Sequence, residues 1–88
     1  MRCVSLPAWG SVAIVWHAPR TASGERRGIA LYDLGGRLVR HLPVGADSAG
    51  VALWDGRDQN GRLLPAGLYF ARLISGSLRA QARVVLIP

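Results

Sequence analysis

The chain has no lysine, one cysteine and only five acidic residues. Each scarcity narrows what it can be. All eleven basic residues are arginine, and the formal net charge is +6. Arg20, Arg26, Arg27, Arg37, Arg40, Arg57, Arg62, Arg72, Arg79 and Arg83 are spread along the chain. A nucleic-acid footprint gathers its basic residues into a patch or stripe. The dispersal therefore reads as a solvated surface, and no nucleic-acid partner is expected. Cys3 alone cannot close an internal disulfide, and it has no metal-ligand partner at useful spacing. No apolar stretch is long enough to span a bilayer. The run 12–16 is too short for the core of a signal peptide. If the domain is exported, its export signal is expected outside this chain.

What is present is hydrophobic and strongly punctuated. Half of the 88 residues are hydrophobic, enough for the core of one small domain. The apolar runs are short and divided by turn residues, and none has the 3.6-residue period of a helix. Residues 1–10 read as a lead-in, because Pro7 and Gly10 break regular structure. Residues 11–88 read as the folded domain. Residues 11–18 alternate, with Val12, Ile14 and Trp16 on one face. Residues 19–25 read as a loop. Residues 28–33 form a second strand around Ile29 and Leu31, which Asp33-Leu34-Gly35-Gly36 closes in a hairpin turn. In the returning strand, Leu38, Val39 and Leu42 compete for inward positions. Residues 51–54 place Ala52 and Trp54 inward. Residues 67–74 do the same with Tyr69, Ala71 and Leu73. The last strand alternates most clearly, with Leu78, Ala80, Ala82, Val84 and Leu86 inward and Arg79, Gln81 and Arg83 outward. One buried and one wet face per strand, with turn signals about every 8–12 residues, predicts an all-β antiparallel sandwich of six to seven strands.

The residues that suggest chemistry resolve into turns and core. Asp55, Asp58 and Asn60 precede Gly61 in a pattern that partly matches a calcium loop. That loop needs more oxygen ligands and a distal Glu, and no Glu follows Glu25. Asp and Asn side chains that cap nearby amides, with Asn60-Gly61 completing a tight turn, are the preferred reading. Neither His17 nor His41 has a nearby ligand or triad partner, so no catalytic residue, metal or cofactor is assigned and the chain is read as non-enzymatic. Trp9, Trp16 and Trp54 would suit a sugar- or peptide-stacking surface. However, Trp16 and Trp54 fall in phase with the inward faces and read as core, whereas Trp9 is placed to cover an open end of the sandwich. Tyr69, just after a corner, is predicted to bury its ring and return its hydroxyl to the upstream backbone.

Two segments together carry a family resemblance. One is Trp54-Asp55-Gly56-Arg57-Asp58-Gln59-Asn60-Gly61-Arg62, followed by Gly67-Leu68-Tyr69-Phe70-Ala71-Arg72-Leu73. The other is the hairpin Leu31-Tyr32-Asp33-Leu34-Gly35-Gly36-Arg37 to Leu42. With the closing strand Arg83 to Ile87, they resemble the FlgD-type immunoglobulin-like domain and equally the C-terminal sorting domain of bacterial type IX secretion. The resemblance spans residues 11–88. It implies a seven-strand immunoglobulin-like sandwich at the C-terminal end of a larger extracellular or cell-surface protein. Its partners would be secretion or cell-surface machinery, or the rest of the parent protein. It marks Asp33, Gly36, Trp54, Asp55, Gly56, Asp58, Gly61, Gly67, Tyr69 and Leu73 as structural positions. The alternatives are a glycan- or protein-binding accessory module and a hook-capping scaffold domain of flagellar assembly.

Overall fold

Period-two alternation puts one face of a strand indoors and the other in water. The computed structural model describes residues 1–20 and 26–87. Seven strands follow one another: β1 (Arg2–Ala8), β2 (Ser11–His17), β3 (Arg27–Tyr32), β4 (Leu38–Pro43), β5 (Ala49–Trp54), β6 (Gly67–Ser75) and β7 (Leu78–Leu86). No helix occurs among the described residues. The strands form two antiparallel sheets, β1-β2-β5 and β4-β3-β6-β7. Val12, Ile14, Trp16 and Trp54 from the first sheet meet Ile29, Leu31, Leu73 and Val84 from the second in one core. The chain is thus an all-β sandwich. The inward phases expected for β2, β3, β5, β6 and β7 are observed, although Leu78 at the start of β7 is exposed.

The first ten residues depart from expectation. They are not an unstructured lead-in: residues 2–8 form β1, paired along its whole length with β2, and Cys3 is buried. Pro7 does not break this strand because β1 lies at an edge of its sheet, where a missing amide costs no ladder bond on the open side. Trp9-Gly10 is the two-residue turn of the β1–β2 hairpin, with Gly10 at φ +73°. Trp9 does not cover an open end; it is 82% exposed.

The competition within β4 is settled by a bulge. Leu31 opposes Arg40 but Tyr32 opposes Leu38, which leaves Val39 as the extra residue. Val39 and Leu42, three apart, therefore both turn inward, and Leu38 stays exposed. The loop expected at residues 19–25 lies mostly outside the described residues.

Three of the four sheet edges are covered. Gly10 N–H donates to the Ile87 carbonyl at 3.0 Å, Trp9 bridges Ile87 in parallel, and Ser5 Oγ donates to the Arg83 carbonyl, so β1 and β7 lean on each other. Gln59 covers β4: its N–H donates to the Val39 carbonyl at 2.8 Å and its Oε1 accepts from His41 N–H at 3.1 Å. β5 pairs only with β2.

Candidate functional site

The segment after β5 is a turn built almost entirely by its own side chains. Asp55 Oδ1 accepts from Arg57 N–H at 3.0 Å and from Arg40 Nη1 at 3.1 Å. Asp58 Oδ1 accepts from Asn60 N–H at 2.9 Å and Arg62 N–H at 3.0 Å. Gly56 sits at φ +75°, and its carbonyl accepts from Leu64 N–H at 2.9 Å. The acidic residues that resembled a calcium loop are thus engaged in capping amides, as the turn reading requires. No group of three or more His, Cys, Asp or Glu side chains converges among the described residues.

One feature of this turn escaped the sequence reading. The five residues Asp33-Leu34-Gly35-Gly36-Arg37 and Asp58-Gln59-Asn60-Gly61-Arg62 make the same turn twice. In each, the Asp N–H donates to the Arg carbonyl, the fourth-position Gly N–H donates to the Asp carbonyl, and Asp Oδ1 accepts from the Arg N–H. Gly36 and Gly61 both stand at φ +84°, the left-handed position that closes such hairpins and that glycine takes without strain. The shared pattern D-x-x-G-R was the available signal.

Trp54 and Tyr69 pin the sheets together beneath this turn. Trp54 is fully buried, and its ring meets Tyr69 edge-to-face, with centroids 5.3 Å apart and planes at 77°. Its Nε1–H donates to the Arg57 carbonyl at 2.9 Å. Gly67, at φ +146°, opens β6, and two residues later Tyr69 donates its hydroxyl to the Pro65 carbonyl at 2.6 Å. The predicted tyrosine corner is therefore present. Leu73, further along the same face, is fully buried. Tyr69→Phe is expected to lower unfolding stability by about 1 kcal/mol, the typical worth of one such bond. Equal urea midpoints for the two proteins would show that the bond contributes nothing.

Burial raises the pKa of the Cys3 thiol, partly opposed by a backbone hydrogen bond at Leu73. Burial, and secondarily the Asp33 charge, raises that of the Tyr69 phenol. In both cases the folded state holds its proton more tightly than the unfolded chain. The stabilisation is complete below the unfolded values of 9.0 and 10.0 and is lost as pH rises through the folded ones. Thermal midpoints should accordingly fall above pH 9, and Cys3→Ala should flatten the first part of that fall.

The remaining candidates stand apart from this site. His17 ends β2 on the three-stranded sheet, and the exposed His41 lies on β4 of the other. Trp16 is buried, with the Arg27 guanidinium 5.3 Å from its ring centre, so three tryptophans do not make one stacking surface.

The two outer faces of the sandwich are unlike each other. On the three-stranded sheet, the cross-strand row Val4–Val15–Val51 lies beside Leu6–Ala13–Leu53, without a polar group in either row. Val51 is 62% and Leu53 72% exposed. On the four-stranded sheet, the register brings Arg72, Arg79 and Arg83 to one face. The arginines that read as dispersed are sorted by strand period.

No family model, curated protein or solved structure matches this chain significantly.

Proposed function

We propose that the chain is a non-catalytic, immunoglobulin-like module that sorts a larger protein to the cell surface or attaches it there. The observation that carries the reading is the double apolar row on the outer face of β1-β2-β5. A free-standing domain gains nothing from wetting contiguous valine and leucine side chains, and such patches mark contact with another protein. The body that covers them is the larger protein to which the module is joined, or the machinery that handles it. The resemblance at Trp54 to Leu73 and at the Asp33 hairpin supports the immunoglobulin-like assignment and the sorting role. The turn between β5 and β6 holds the domain together, and the outer face meets the partner.

A passenger fused to the full chain in a host with type IX secretion tests this. The passenger should reach the surface and become accessible to added protease. Val51→Thr with Leu53→Thr, which keeps β-branched or small polar groups in the strand, should fold yet leave the passenger inside. A parent fusion that remains in the periplasm overturns the sorting role.

A further inference from the structure

The outer face of the four-stranded sheet has a sign. β3, β4, β6 and β7 contain five arginines and no acidic residue. Two of the five turn away from the face. Arg27 donates to Ser75 Oγ and to the carbonyls of Gly45, Asp47 and Pro19, and Arg40 pairs with Asp55. Arg72, Arg79 and Arg83 stay on it, because their neighbours Ala71, Leu73, Ala80, Ala82 and Val84 take the inward phase. Elsewhere, Asp47 stands beside Arg20 and Asp33 beside Arg37. No ion pair among the described residues involves Arg72, Arg79 or Arg83, so this face keeps its positive charge.

The face is also grooved. The inner strand β3 carries only Gly28 and Ala30 outward before Tyr32, and both small residues are buried by taller neighbours. The cross-strand row His41–Ala30–Arg72–Gln81 crosses the groove, and the His41 ring lies over Gly28. At one end lies a depression of about 590 Å³ lined by Arg26, Arg79, His41 and Ile74. At the other lies one of about 290 Å³, lined by Tyr32, Phe70, Arg72 and Gln81. Asp33, at the rim of the second, is held by the amide and guanidinium of Arg37. Arg79 and Arg83, four residues apart on β7, have Cα atoms about 13 Å apart along the strand; Arg79 lines the first depression, and Arg83 stands opposite Phe70 of the second.

The geometry points to this groove as a binding site for an acidic polysaccharide, a chain bearing carboxylate groups at regular intervals. Arginine forks match carboxylates in pairs of hydrogen bonds, and spaced arginines match a periodic anion. The aromatic residues argue for a glycan over single-stranded nucleic acid. Bases are held on open aromatic faces, whereas Arg72 lies over the Tyr32 ring, 5.3 Å from its centre, and Phe70 is half-buried. The site lies on the sheet opposite the apolar rows, so both surfaces can be occupied at once.

Calorimetric titration of the full chain with oligogalacturonate tests the assignment, with neutral dextran and oligothymidylate as comparators. Oligogalacturonate should bind, more weakly as salt rises, and dextran should not. Arg79→Gln with Arg83→Gln should weaken binding by about tenfold or more, roughly two charge-assisted contacts. Arg2→Gln with Arg20→Gln removes the same charge away from the groove, from the opposite sheet and from a loop, and should change it by less than about twofold. Arg79 also donates to the Gly76 and Leu78 carbonyls. Arg72→Gln with Arg83→Gln is therefore a second groove variant that leaves that turn intact, and thermal unfolding verifies that each variant folds. Absence of binding, tighter binding of oligothymidylate, or equal losses from the groove and control pairs would each overturn the proposal.

Discussion

Trp54→Ala is expected to lower stability by about 3–5 kcal/mol, the usual cost of emptying a large aromatic site. Three losses coincide. The indole is wholly buried, so its removal leaves a cavity between the sheets. Its edge-to-face contact with Tyr69 disappears. The Arg57 carbonyl loses the indole N–H and with it the anchor of the turn above. At about 0.05–0.15 kcal/mol per residue, 88 residues hold about 4–13 kcal/mol, so the loss takes about a quarter or more of the domain's stability and the urea midpoint should fall sharply. Trp54→Phe keeps most of the volume and should unfold cooperatively at a lower urea midpoint. An alanine variant with the parent's midpoint would place Trp54 outside the core.

Gly56→Ala should cost about 2–3 kcal/mol. An L-residue at φ +75° pays about 1–2 kcal/mol for the left-handed backbone alone. The added methyl would stand 2.9 Å from Leu86 Cδ1, and Leu86 is itself buried at the end of β7. Gly61→Ala separates the two contributions. Its φ is +84°, but its methyl would meet nothing within 4 Å, so it should show only the backbone cost. If chemical denaturation gives both variants the same loss, the close approach to Leu86 contributes nothing.

The sheets were legible because most strands keep a strict period of two, as β2 and β6 show. Trp54 and Tyr69 were legible as core because their phase agreed with their neighbours. Three features were hidden, each for a physical reason. β1 was masked by Pro7, whose missing amide is harmful in a central strand and harmless at an edge. The inward pair in β4 was ambiguous because a bulge at Val39 breaks the period from which it had to be read. The basic face was invisible because Arg72, Arg79 and Arg83 adjoin only after β6 and β7 fold back in register. The two D-x-x-G-R turns were readable but short enough to pass as unrelated loops.

The parallel contact between Trp9 and Ile87 decides how the domain would bear a load. β1 and β7 run in the same direction, so the chain enters at one end of the sandwich and leaves at the other. Tension applied through Arg2 and Ile87 would act along the strands. The rungs between β1 and β2 would then be strained together, sideways, and would not open one after another. Load applied through the two ends of the sandwich would therefore meet the domain along a direction that is not its weakest.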